Sequence, residues 1–486
     1  MPNGAPVSTH AADVDAVGLA DVRVRAFVVW VVAFALGVLY HEWQAGPELL
    51  SVHTAAGIGA IVLLLRPTSL PRLLVLFALI VVELIVNLPE PLNHDVLLAG
   101  GAAGALLDRA WLRVRGTADD GAAFFFGRVA PMLRVAFIVM WFAAAFAKIN
   151  RGFLSVDTSC ALWIVDSVPL LDTGAFPQAV RALIVGGTVL TEFSIPVLLL
   201  VRRTRLVGIT LGWMFHFVAA FAGHAAFSGV GWSMYLLFLP VATLAAMADV
   251  GVERWRGVAT TARDRLGRAW RHPATLPLLV CVWLLAVVAL QQLPVVWLNR
   301  ARRYGAMLPY VMLAPVWAWL VWQGVRRRAG ADDGGAVSLR LRHPVAFLVV
   351  GLVLVNALTP YVGLKTRYSF TMYSNIRTEA DLWNHFLVPS SVRVAELEDD
   401  LIRVTRVTGV GEDADVAAIL GARVPTGEAR RVLAPHPDAT VVYEIDGRRH
   451  VADPVASDAI VGTPLPLGTG KLAGFRPVEP IDVCQH

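Results

Sequence analysis

Long apolar stretches separated by short polar loops dominate the chain up to about residue 364. Runs long enough, or nearly long enough, to cross roughly 30 Å of hydrocarbon fall at residues 24–45, 53–66, 72–88, 95–112, 132–149, 179–201, 205–223, 226–249, 274–298, 306–325 and 344–364. The run at 53–66 is short and the run at 95–112 is rich in glycine, so the pattern predicts about nine to eleven helices. Beyond residue 364 the pattern changes. The tail is charged, alternates apolar and polar residues over Val441 to Ile445, and continues through Asp446-Gly447 into a second short stretch of the same kind. Alternation on both sides of an Asp-Gly pair predicts a β-hairpin. The expected fold is therefore mostly α: a polar tail at 1–22, a polytopic transmembrane helical bundle at 23–364, and a small β-rich C-terminal domain at 365–486.

The arginines orient these helices. Arg66 and Arg72, the group from Arg109 to Arg134, the trio Arg202, Arg203 and Arg205, the run from Arg254 to Arg271, and the group from Arg326 to Arg342 fall in alternate loops. The positive-inside rule places those loops, and with them the amino terminus, in the cytoplasm. Loops 41–54, 87–95, 150–178 and 223–227 are nearly free of Lys and Arg and are expected outside. Arg300, Arg302 and Arg303 break the alternation. With an odd number of spans the C-terminal domain is extracytoplasmic.

Composition agrees with a multi-pass protein of the cell membrane. Hydrophobic residues make up 56% of the chain, charged residues 16%, and mean hydropathy is +0.61, which excludes an ordinary soluble domain. The net charge of +5 is spread over the loops, so it reads as topology and contact with membrane lipid, not as a nucleic-acid surface. The first apolar run begins at Val24 with no small-residue cleavage site after it, as in a signal anchor that is retained. Of the three cysteines, Cys281 lies in an apolar run, whereas Cys160 and Cys484 are both expected outside, where a disulfide can form. Histidines without HExxH or another ligand spacing, and too few cysteines for an all-cysteine zinc site, predict no metal.

Candidate chemistry gathers at the expected outer ends of the helices. His41, His53, Asn93, His94, Lys148 and His224 lie there, and Glu83, Glu192 and His216 lie within apolar runs, where an ionisable group is expected to face other helices or water. Lys148 stands out in a chain with 42 Lys and Arg of which only three are lysine, because an amine loses its proton on desolvation and a guanidinium does not. Two readings of it are open: a general base, or an interfacial anchor whose ammonium snorkels to the surface.

The segments Phe146-Ala-Lys148-Ile-Asn-Arg-Gly-Phe153, Asn93-His94, Thr204-Arg205 followed by His216, Leu190-Thr-Glu192-Phe, and Gly363 to Tyr373 together resemble the family that groups vitamin K-dependent gamma-glutamyl carboxylase with bacterial HTTM-domain proteins. The resemblance covers about residues 24 to 390. It implies a membrane-embedded pocket for a reduced quinone of the vitamin K or menaquinone kind, with Lys148 as the base that deprotonates it and His94 and His216 in the same active site. Oxygen would then convert the quinone to a strong base that removes a glutamate γ-proton from a secreted peptide, and the carbanion would capture carbon dioxide.

Within that frame Asn93, Glu192 and His224 are expected to orient partners or contact substrate, as are Asn375, Arg377 and His385 of the tail motif Met372-Tyr-Ser-Asn-Ile-Arg-Thr-Glu379 and Asn384-His385. Glu192 equally reads as a packing residue. The tail motif equally reads as a hydrogen-bonded latch between bundle and β-domain. The chain is shorter than the animal carboxylases and the tail motif is not one of theirs, so a second class of function stands beside the enzyme: a non-catalytic membrane protein that binds lipid, peptide or a partner in peptide maturation or export.

Overall fold

The computed structural model describes residues 9–45, 51–88, 92–117, 120–168, 171–221, 225–266, 282, 298–328, 337–379, 382–395, 397, 400–466, 468–478 and 484. The helices of the apolar region are α1 (Thr9–Ala45), α2 (Val52–Leu64), α3 (Leu70–Asn87), α4 (Asn93–Val114), α5 (Gly121–Ala147), α6 (Cys160–Asp166), α7 (Gln178–Leu200), α8 (Arg205–Ala219), α9 (Ala225–Leu236), α10 (Val241–Leu266), α11 (Leu298–Arg328) and α12 (Pro344–Leu358).

Among the described residues four stretches are long and apolar enough to cross a membrane: Leu19–Glu42, Leu70–Asn87, Gly121–Ala147 and Gln178–Leu200. A fifth results if Phe227–Leu236 and Val241–Arg256, which meet at 116°, form one broken span, and α2, α8 and α12 are shorter apolar helices. The run expected at 95–112 forms α4, but Asp95, Asp108, Arg109 and Arg113 reduce its hydropathy. Most of the run expected at 274–298, with Cys281, lies outside the described residues.

Contacts divide the chain into two units: Met1–Glu83, Gly101–Phe137 and Val197–Val349 form the first, and Leu84–Gly100, Ile138–Pro196 and Val350–His486 form the second. In the first, α1 is apolar on every side from Ala26 to Tyr40, as suits a stretch of helix packed all round. Phe27, Trp30 and Phe34 are buried, the Trp30 indole donates to the Ser233 carbonyl oxygen at 3.0 Å, and the Trp30 and Phe34 rings stack. A Cβ at Gly37 would lie 2.8 Å from the Gly229 carbonyl oxygen, so glycine here is what lets α1 and α9 approach closely. The buried Arg134 guanidinium donates to the carbonyl oxygens of Leu237 and Ser338, which binds α5 to the ends of neighbouring segments.

The second unit carries the sheet, β1 (Leu401–Thr408), β2 (Arg423–Pro425), β3 (Thr440–Ile445) and β4 (Arg448–Ala452), antiparallel throughout in the order β2-β1-β3-β4. Alternation puts Ile402, Val404, Val441 and Tyr443 in its core with Val424 and Leu433. Asp446 and Gly447 both take positive φ, 51° and 71°, the backbone of the tight hairpin turn that an Asp-Gly pair favours. The expected hairpin is present. Cys160 at the start of α6 is disulfide-bonded to Cys484, which ties the end of the chain to the helical part of this unit.

Candidate functional site

Lys148 follows the last residue of α5, where the helix turns into Ile149 and Asn150. Its Nζ lies 2.8 Å from Glu192 Oε2 of α7, and the two side chains are only 3% and 4% exposed. The same nitrogen donates to the Met372 carbonyl oxygen at 2.9 Å and to the Ala144 carbonyl oxygen at 3.3 Å, and it stands 5.6 Å from the centre of the Phe153 ring, within cation–π range. An ammonium satisfies all three oxygen acceptors. A neutral amine has two N–H bonds, so it satisfies two of them and keeps a lone pair.

Met372 belongs to a strap, residues 365–379, that lies between α12 and β1 in the chain. Its backbone is unusual: Tyr368, Phe370, Tyr373 and Asn375 take positive φ of 41°, 61°, 50° and 52°, which is unfavourable for bulky side chains and persists only where surrounding contacts impose it. Side chains supply those contacts. Asn93 Oδ1, at the start of α4, accepts from the Phe370 amide at 2.6 Å. Asn356 Nδ2 donates to the Tyr368 carbonyl oxygen, Lys148 to that of Met372 and Asn150 Nδ2 to that of Ser374. Lys148 is thus both the partner of Glu192 and a clamp on the strap.

The tail motif is similarly engaged. Asn375 Oδ1 accepts from the Cys160 amide and its Nδ2 donates to the Thr158 carbonyl oxygen. Asn384 Oδ1 accepts from the Arg377 amide while its Nδ2 donates to Asn150 Oδ1 and the Asn375 carbonyl oxygen. His385 accepts at Nδ1 from the amides of Leu387 and Val388, and its Nε2 lies 3.1 Å from the Phe146 carbonyl oxygen. Burial lowers the His385 pKa, against the Phe146 carbonyl, which raises it.

Beside this network lies a cavity of about 290 Å³ lined by Arg151, Ser155, Thr158, Asn375, Arg377 and Trp383, together with Gly152, Leu382 and Asn384. Two guanidinium groups and no carboxylate line it, a charge balance suited to an anionic ligand.

Asn93, His94, Lys148, Glu192, Asn375, Arg377 and His385 fall in the second unit. His94 is buried, with Nε2 3.5 Å from Asp95 Oδ1. His216 falls in the first unit, buried on α8, where its Nδ1 lies 3.5 Å from Ser228 Oγ and its ring meets Phe227 edge-on. His224 lies outside the described residues. Sequence reasoning singled out Lys148 and Glu192 without pairing them, and it passed over Asn150 and Asn356, whose positions just past one helix and near the end of another are the only signal for a clamp.

No protein-family model, no curated protein and no solved structure matches the chain.

Proposed function

We propose that the protein is an integral membrane enzyme of the carboxylase-like HTTM kind, acting on a reduced quinone or a similar lipid-soluble substrate, with Lys148 as general base. The observation that carries this reading is the buried Lys148–Glu192 pair. A buried lysine and a buried glutamate are unfavourable in an apolar setting unless they are paired or used, and a base shielded from water is what the abstraction of a weakly acidic hydroxyl proton needs.

The ammonium of the resting pair first gives one proton to solvent; the neutral amine then holds the Met372 carbonyl oxygen and Glu192 through its two N–H bonds, releases the longer contact to Ala144, and turns its lone pair to the substrate O–H. The O–H bond breaks, its electron pair stays on the substrate oxygen, and the proton completes the ammonium. Glu192 stabilises the charge so formed. His94, which falls in the same unit as Lys148, is assigned as a hydrogen-bond donor to the developing oxyanion by the resemblance of its segment. In this scheme the cavity between Arg151 and Arg377 receives the carboxylate of a secreted peptide, and the β-domain faces the outside of the cell.

A second reading, a non-catalytic protein that binds lipid, peptide or a maturation partner, is favoured by the engagement of the same side chains in holding the strap. Oxygen uptake and epoxide formation by the full chain in nanodiscs, supplied with reduced menaquinone or reduced vitamin K, separate the two. Turnover is expected. Its absence in folded protein, with and without glutamate peptides and bicarbonate, overturns the enzyme in favour of the binding role.

A further inference from the structure

A second buried cluster of ionisable groups lies wholly within the first unit. His41 and Glu42 stand at the expected outer end of α1, His53 in the first turn of α2, and Glu83 near the end of α3. His53 Nδ1 lies 2.9 Å from Glu42 Oε2 and 3.0 Å from Glu83 Oε1, and His41 Nδ1 lies 3.2 Å from Glu42 Oε1. His41, Glu42 and Glu83 are buried, and one ligand atom from each lies within 4.8 Å of the others.

We propose that His41, Glu42, His53 and Glu83 form a binding site for one divalent first-row transition-metal ion. Three observations carry it.

The first is chemical. Two imidazoles and two carboxylates are the mixed nitrogen and oxygen set favoured by manganese, iron, cobalt and zinc.

The second is spacing. Around an ion with bonds of about 2.1 Å, adjacent ligand atoms of an octahedral shell stand about 3.0 Å apart; His53 stands 2.9 and 3.0 Å from Glu42 and Glu83, and His41 stands 3.2 Å from the other oxygen of Glu42. No rearrangement of helices is needed to bring them together.

The third is charge. Glu42 and Glu83 bring two carboxylates into segments apolar enough to cross a membrane. A dication offsets both and leaves the imidazoles neutral, the form in which they ligate. Sequence spacing gave no sign of the site because its ligands come from three helices, with only His41 and Glu42 adjacent.

The site is independent of the Lys148 proposal and is tested without any activity. The full chain, purified without chelators and without a polyhistidine tag, is placed in nanodiscs, incubated separately with Mn²⁺, Fe²⁺ (anaerobically), Co²⁺ and Zn²⁺, desalted, and assayed for retained metal by mass spectrometry. With Mn²⁺, electron spin-echo spectroscopy reads nitrogen coupled to the ion. About one ion per chain with imidazole nitrogen couplings is expected. Glu83→Gln, which preserves side-chain shape, and His53→Ala are expected to weaken retention at least about tenfold while the protein stays monodisperse. Failure of wild type to retain any of the four ions overturns the proposal and leaves a hydrogen-bonded histidine–carboxylate cluster. Retention that survives both substitutions, or bound Mn²⁺ with no coupled nitrogen, overturns it equally.

Discussion

The Lys148 amine and the Glu192 carboxylate, 44 residues apart in sequence, meet at 2.8 Å in an almost fully buried ion pair. Breaking one partner leaves the other charge uncompensated. Glu192→Leu and Lys148→Met are each expected to destabilise the folded protein by about 3–5 kcal/mol, and the double variant by much less than their sum, because it removes both charges together. Thermal unfolding of the four proteins in one detergent closes the cycle. Additive losses would mean that the two groups do not interact.

Asn93 supports the strap from α4 by accepting from the Phe370 amide. Asn93→Ala leaves that amide without its acceptor and is expected to lower stability by about 1–3 kcal/mol. Hydrogen exchange over residues 365–379 is expected to accelerate selectively, since the positive-φ backbone there depends on such clamps. Unchanged exchange would show that the strap is held by other contacts.

Lys365, beyond the last apolar helix, has its pKa lowered by burial to about 8. Its folded-state pKa lies below the roughly 10.4 of an unfolded lysine, so the unfolded chain binds more protons between those values and this group's contribution to stability falls as pH drops through that window. Acylation of Lys365, followed by peptide mass spectrometry, is expected to rise with a midpoint near pH 8. A midpoint near that of an unfolded lysine would contradict the burial.

Cys160 and Cys484 are joined across a long separation in sequence. Protein made by membrane insertion and alkylated before reduction is expected to yield a cross-linked peptide pair from these cysteines, and Cys160→Ser to abolish it. Recovery of both as alkylated thiols would contradict the bond and, with it, the expected placement of both residues on the oxidising side of the membrane.

Much of this architecture is legible from local patterns. The apolar runs mark the long helices, and alternation around Asp446-Gly447 marks the β3–β4 hairpin, because period and turn chemistry are properties of neighbouring residues. Pairings across long separations are not legible: Lys148 with Glu192, Asn93 with Phe370, and His53 with Glu42 and Glu83 each require helix packing to be known. The strap conceals itself further, since Tyr and Phe at positive φ run against residue preference and are set by tertiary hydrogen bonds. The tail asparagines illustrate the same limit: side-chain type allowed ligand contact or latch, and the hydrogen bonds of Asn375 and Asn384 tie the tail motif to residues 150, 158 and 160, partners far away in sequence.

The central claim is that Lys148 takes a proton from a lipid-soluble substrate. It is tested most directly by comparing wild type, Lys148→Ala and Lys148→Arg in nanodiscs for oxidation of reduced menaquinone and reduced vitamin K, with folding checked by monodispersity and melting. The account predicts turnover by wild type and loss of at least about a hundredfold in both variants, including Lys148→Arg, whose guanidinium keeps a positive charge beside Glu192 but does not give up its proton. Turnover that persists in Lys148→Arg would contradict the base and leave Lys148 as the partner of Glu192 and the clamp on the strap.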